Sequence, residues 1–177
     1  MIRPIGYLES VYREKFGTPR QSGFVKNARA RLTLVNEINS SCLDGLEEYG
    51  YIWLIFIFHI GMSDYNMTKT KIAPPKLEGE KRGVFATRSP HRYNPIGLSL
   101  AKLDKIEGRT IYMSGMDLIQ GTPIIDIKPY HYTDSLEQAD MGEAGVPFDE
   151  NFPKWLLDSK ERGRLNVAFK PEATEEL

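Results

Sequence analysis

The chain is expected to fold as a mainly β protein: a compact antiparallel or mixed β-barrel with one or two short helices, not a Rossmann sheet. Three observations carry this expectation. Short alternating or apolar runs follow one another without regular helices between them. The most apolar run, Tyr51 to Ile60 (YIWLIFIFHI), is rich in β-branched and aromatic residues and too short to span a bilayer as a helix. No G-x-G-x-x-G follows a strand, so the glycine turn of dinucleotide-type folds is missing.

In chain order, Ile2 to Val11 reads as a first strand, with Pro4 and Gly6 marking an edge position or a bulge. Tyr12 to Lys26 is a loop with Gly17, Pro19 and Gly23, and Arg20 and Gln21 at its centre. Arg31 to Val35 alternates as a half-buried strand. Ser40 to Glu48 predicts a short helix with Leu43 and Leu46 on one face. Tyr51 to Ile60 predicts a strand buried on both faces, ending in His59, a core histidine or a residue at a site on the sheet rim. Residues 61 to 83 are polar and irregular. Lys69, Lys71, Lys76, Lys81 and Arg82 there read as a solvated basic loop or as phosphate contacts.

Val84-Phe85-Ala86 reads as an apolar strand entering a proline-pinned basic loop, Arg88 to Pro95, which leads into the apolar run Ile96 to Leu100. Two arginines and a histidine on a loop fixed by Pro90 and Pro95 have the look of a built site. Arg109 to Met116 and Pro123 to Lys128 predict two more strands. Asp126 inside the second needs a partner or a role. Pro153 to Ser159 reads as a short helix and Arg164 to Phe169 as a last strand. The domain expectation is a single barrel over residues 1–170, with a flexible acidic end at 171–177.

Composition narrows the function classes. A net charge of −1 argues against a nonspecific polybasic coat but leaves room for a local basic face among 23 lysines and arginines. One cysteine, Cys42, excludes an intrachain disulfide and a cysteine zinc site, and three histidines without metal spacing argue against a metal centre. No P-loop and no G-x-S-x-G element is present. The start, Met1-Ile2-Arg3-Pro4, has no secretory apolar core, so the expectation is a soluble, cytoplasmic protein with no membrane contact.

Four segments, taken in order, resemble the TrmO family of S-adenosylmethionine-dependent tRNA methyltransferases. They are Pro19-Arg20-Gln21, Trp53 to His59, Thr87 to Gly97 (TRSPHRYNPIG), and Asp117 to Pro123 (DLIQGTP) running into Asp126 to Tyr130 (DIKPY). At two positions the chain departs from the family's usual pattern: Tyr93 stands for the first proline of R-P-N-P, and Gln120 for an acidic residue before Gly121-Thr122-Pro123. Some members continue into an additional C-terminal domain, which is not expected here.

The resemblance implies a β-barrel unrelated to Rossmann methyltransferases, acting as a homodimer with its cofactor near the subunit interface. It implies methyl transfer to N6 of N6-threonylcarbamoyladenosine at tRNA position 37, beside the anticodon. By motif position, S-adenosyl-L-methionine contacts fall at Pro19, Arg20, Gln21, His59, Ile60, Arg88, Leu98, Asp117, Leu118, Ile119 and Gln120. Asp126 and Tyr130, with His91 as the alternative, are candidates for taking the acceptor proton, because a urea-like N6–H is a poor nucleophile while neutral. Lys26, Arg92 and Lys128 are candidates for contacting the anticodon stem-loop backbone, and no metal is expected. A second reading is a non-catalytic barrel that binds cofactor or RNA as a sensor or scaffold.

Overall fold

The computed structural model describes residues 2–60, 70–131 and 134. The chain divides into two compact units, one of Met1–Ile72 with Gly83–Ser135 and the other of Ala73–Arg82 with Leu136–Leu177. In the second unit, a 3-10 turn at Pro75–Leu77 ends in Glu78 with φ 46°. The expected helix at 153–159, strand at 164–169 and flexible end at 171–177 lie outside the described residues.

The first unit holds a closed antiparallel barrel of six strands. They are β1 (Gly6–Ser10), β2 (Ala30–Leu34), β3 (Tyr51–Ile57), β6 (Ile96–Glu107), β7 (Thr110–Ser114) and β8 (Pro123–Pro129), in the order β1-β2-β7-β6-β3-β8. Two-residue strands β4 (Lys71–Ile72) and β5 (Arg82–Gly83) lie outside the barrel. The mainly β, non-Rossmann expectation holds.

Alternation explains the inner face. Leu8 of β1, Leu32 of β2, Ile52 and Leu54 of β3, Ile111 and Met113 of β7 and Ile124 of β8 are fully buried. Each contributes roughly 1.5–3 kcal/mol by leaving water. The register shifts at Ile55/Phe56 and at Leu103/Lys105, local irregularities of the kind that bend strands around a small barrel.

Four local expectations are corrected. β1 is no edge strand, because β2 and β8 pair with it on either side and the barrel is closed. Ser40 to Glu48 forms two 3-10 turns, Ser40–Leu43 and Leu46–Glu48, separated by Gly45 at φ 83°, a backbone no α-helix continues through. β3 is buried on one face only: Ile52, Leu54 and Phe56 point in, while Tyr51, Trp53, Ile55 and Ile57 line the outside, since a closed barrel has a single interior. Val84–Ala86 is a 3-10 turn, closed by the Thr87 N–H donating to the Val84 carbonyl.

β6 inverts the ordinary pattern. Gly97, Ser99 and Ala101 face the interior, and Ile96 and Leu98 face out. The Phe56 ring lies where a side chain at residue 97 would stand, so only glycine fits there.

Candidate active site at one end of the barrel

The C-terminal ends of β1, β3 and β7 and the N-terminal ends of β2, β6 and β8 meet at one mouth, by the antiparallel registers that join them. Residues 115–122 cross this mouth from β7 to β8. Met116 and Leu118 turn inward and are buried, plugging the barrel. The crossing is stitched down on both sides. Met116 N–H donates to Ala28 at 3.1 Å, Gln120 N–H to Tyr12 at 2.7 Å and Gly121 N–H to Leu8 at 2.8 Å. The Gln120 side chain accepts from Ser10 N–H at 2.8 Å.

Asp117 lies between the two plugging residues, largely removed from water. Its carboxylate accepts from the Ser99 hydroxyl at 2.7 Å and from the backbone N–H of Ser22. Burial pushes its pKa up, and these donors oppose the rise only in part. The Ser22 contact, with Gly23 N–H donating to the Gly115 carbonyl at 3.0 Å, draws the loop of Pro19, Arg20 and Gln21 to the same mouth.

His59, just past β3, reaches the crossing from the other side. Its ring hydrogen-bonds to the Gln120 backbone, and burial lowers its pKa despite that bond, so the neutral imidazole is favoured. At both Asp117 and His59, burial therefore disfavours the charged form relative to water, as it does for groups in a partly dried cleft.

The structure thus brings together Asp117, Leu118, Ile119, Gln120, His59 and the residues adjoining Ser22. Leu118 is buried in the core, so only its backbone can meet a ligand. Leu98 is 59% exposed and stands beside Ile55 on the outer wall, one residue from Ser99. Ile60 is exposed after His59. Arg88 and His91 are exposed on the loop after the 3-10 turn, and Arg88 forms no hydrogen bond or ion pair among the described residues.

The remaining candidates lie elsewhere. Asp126 is on the outer face of β8 opposite Ile55, paired with Lys128 at 2.9 Å. Tyr130 rests against Trp53 and Tyr51, with ring centroids 5.9 and 6.4 Å apart. Among the described residues no hydrogen bond or ion pair joins Asp126 or Tyr130 to Asp117, His59 or Gln120. Arg92 is half-buried and braces its own loop, donating to the Thr87 carbonyl at 2.8 Å and the Ser89 carbonyl at 3.3 Å. Lys26 lines an open groove of about 810 Å³ with Arg29, Lys102, Asp104 and Lys105, to which Ser22, Gly23 and Gly115 also contribute.

Sequence reasoning missed Ser22 and Ser99. For Ser99 the signal was present: a hydroxyl at an inward position of an apolar strand must find a partner. Among the described residues no group of three or more His, Cys, Asp or Glu could hold a metal ion, and no helix is long and apolar enough to cross a membrane.

Residues 7–135 match the model of the tRNA-methyltransferase O N-terminal domain. The chain belongs to the TrmO family. A mouse relative described as a tRNA (adenine(37)-N6)-methyltransferase is 51% identical over 134 residues, covering 73% of this chain and 30% of the relative. A Pyrococcus abyssi relative described as a "Probable S-adenosyl-L-methionine-binding protein" is 33% identical, covering 92% of this chain and 95% of its own. A crystal structure of TrmO from Pseudomonas aeruginosa superposes with a TM-score of 0.64 at 37% identity, covering 81% of this chain and 62% of that one. The chain thus spans about a third of the length of the mouse relative and under two thirds of that TrmO chain.

Proposed function

We propose that this chain methylates adenosine 37 of tRNA at N6, using S-adenosyl-L-methionine, and that the accepting nucleoside is N6-threonylcarbamoyladenosine. The observation that carries the reading is Asp117, a carboxylate held by two fixed donors in a dried barrel mouth, in a chain of this family. The relatives described as tRNA adenine-37 methyltransferases and as an S-adenosyl-L-methionine-binding protein support it.

The mouth fits such a cofactor. A carboxylate offers about four lone-pair sites, and Ser99 and Ser22 leave some of Asp117's for a ribose hydroxyl or an ammonium group. Exposed Arg88 and Arg20 offer planar forks for a carboxylate, and exposed Leu98 and Ile60 offer apolar surface for a ring. When bound, the cofactor supplies a methyl group on a sulfonium. The stitched crossing and the braced loop hold this chain's groups still, and alignment of this kind lowers a displacement barrier by several kcal/mol, with an upper range of about 7–11 kcal/mol.

The acceptor nitrogen must lose its proton. His59, kept in its neutral form by burial at the mouth, joins the candidates for that step, because only an unprotonated imidazole nitrogen can accept a proton. Asp126, tied to Lys128 on the outer wall, and Tyr130, packed on Trp53, remain candidates if a bound tRNA lies along that face. The groove lined by Ser22, Lys26, Arg29, Lys102 and Lys105, four cations to the one carboxylate of Asp104, suits a phosphate backbone.

A homodimer is part of the proposal. Ile57, Ile55 and Trp53 of β3 pair in register with Ile96, Leu98 and Leu100 of β6 and form an outer apolar face suited to a second copy. A cytoplasmic location completes it. The test is label transfer from methyl-labelled cofactor to tRNA carrying the threonylcarbamoyl group. The reading fails if that tRNA stays unlabelled while an active family member labels it. If cofactor binds and no tRNA is labelled, the sensor or scaffold reading takes its place.

A further inference from the structure

The 3-10 turn at Val84–Ala86 has two faces that chemistry separates. Val84 is buried, and its N–H donates to the Thr70 carbonyl at 3.0 Å. Its carbonyl accepts from the Thr87 hydroxyl at 2.8 Å. These contacts fix the turn and leave Phe85 displayed, 76% exposed. A lone exposed phenylalanine needs no explanation. Phe85 is not alone: Tyr93, also exposed, has its ring centroid 6.0 Å away, with the two planes inclined by 35°. The Arg92 guanidinium lies 5.9 Å from the Phe85 ring centroid and is itself anchored to the Thr87 and Ser89 carbonyls. The result is two aromatic rings and one cation on a braced loop.

Charge decides what such a surface takes. From residue 83 to residue 103 the chain carries Arg88, Arg92 and Lys102 and no aspartate or glutamate. An aromatic pair on a loop whose own charged residues, Arg88 and Arg92, are both cationic complements a flat, polyanionic ligand. Bases of single-stranded nucleic acid stack on aromatic faces while their phosphates seek cations.

We propose that Phe85 and Tyr93 form a stacking platform for an unpaired base of bound RNA, with Arg92 holding the rings in place. This rests on the tRNA methyltransferase reading for the identity of the RNA, but not for the stacking itself.

The test uses the full chain with Phe85→Ala, Tyr93→Ala and Phe85→Trp, and two probes: unfractionated tRNA and a short single-stranded oligoadenylate. Phe85→Ala is expected to weaken tRNA binding at least about fivefold, from the usual worth of one stacked base. Cofactor affinity and melting temperature should stay at the wild-type values. Phe85→Trp is expected to retain binding and to show an indole emission, above the wild-type background, that oligoadenylate quenches. Alanine variants at both positions that bind tRNA as the wild type does would overturn the platform. So would a Phe85→Ala protein that loses self-association in sedimentation while its RNA affinity is unmoved, because the rings would then belong to a contact between copies. Wild-type protein that methylates tRNA with Phe85→Ala unimpaired removes the platform alone. Quenching by oligoadenylate in a protein that methylates no tRNA removes the enzyme reading and leaves the platform standing.

Discussion

Asp117→Asn separates what the fold needs from what the site needs. The substitution keeps the shape and removes the charge. The Ser99 hydroxyl, 2.7 Å away, can turn to accept from the new amide, and the amide oxygen can face the Ser22 N–H. Because burial raises the pKa of Asp117, its ionised form is unfavourable in the fold. Its stabilising contribution is complete below the unfolded value of 3.8 and is lost as pH rises through the higher folded value. At neutral pH the asparagine variant should therefore be at least as stable as the wild type, and its stability should lose the decline with pH that Asp117 causes. Binding should move the opposite way. A hydrogen bond from a ligand to a charged acceptor is worth about 1.5–3 kcal/mol, which is roughly a 10- to 150-fold loss of cofactor affinity on neutralisation. Urea unfolding across pH and calorimetric titration with S-adenosyl-L-methionine read the two effects. A variant less stable at every pH with unchanged cofactor affinity would show that Asp117 is only a structural ion, and the argument for the site would fall.

Other substitutions address single contacts. His59→Gln should flatten the acid limb of stability, measured by unfolding at stepped pH. With its folded pKa below 6.5, His59 contributes stability that is present above 6.5 and lost as pH falls toward the folded value. Gly97→Ala should lower the melting temperature by several degrees, since its Cβ would displace the buried Phe56 ring at a cost of about 1–3 kcal/mol. Arg88→Ala should weaken cofactor binding while leaving the melting temperature unchanged, because Arg88 is exposed and bonds to no described residue. Arg92→Ala should instead speed hydrogen exchange across residues 87–92, because it removes the donor that ties the Thr87 and Ser89 carbonyls.

The barrel was legible because its inner face follows period-two alternation in β1, β2 and β7, where Leu8, Leu32, Ile111 and Met113 fall inward with polar or half-buried residues between. β6 was less so. Ile96 to Leu100 reads as one apolar run, yet its small residues face inward, and at Gly97 the Phe56 ring of the neighbouring strand fills the space a side chain would need. That is a contact between distant segments, and no local pattern encodes it. Val84-Phe85-Ala86 has strand composition, but the Thr87 side chain and N–H close it into a turn. The site divides in the same way. Asp117, Gln120 and His59 were expected through the resemblance and do converge, while Ser22 and Ser99, which hold Asp117, lie 95 and 18 residues from it and became visible only when the barrel closed. Asp126 had two open readings. The ion pair with Lys128 gives it a partner without removing it from the face a tRNA could cover.

The central claim is that the mouth around Asp117 holds the methyl donor, and a structure with bound S-adenosyl-L-methionine tests it most directly. The account predicts the cofactor against residues 117–120, with a polar group on the Asp117 carboxylate and the loop of Pro19, Arg20 and Gln21 closed over it. Cofactor bound away from that crossing, with Asp117 still held only by Ser99 and Ser22, would contradict it.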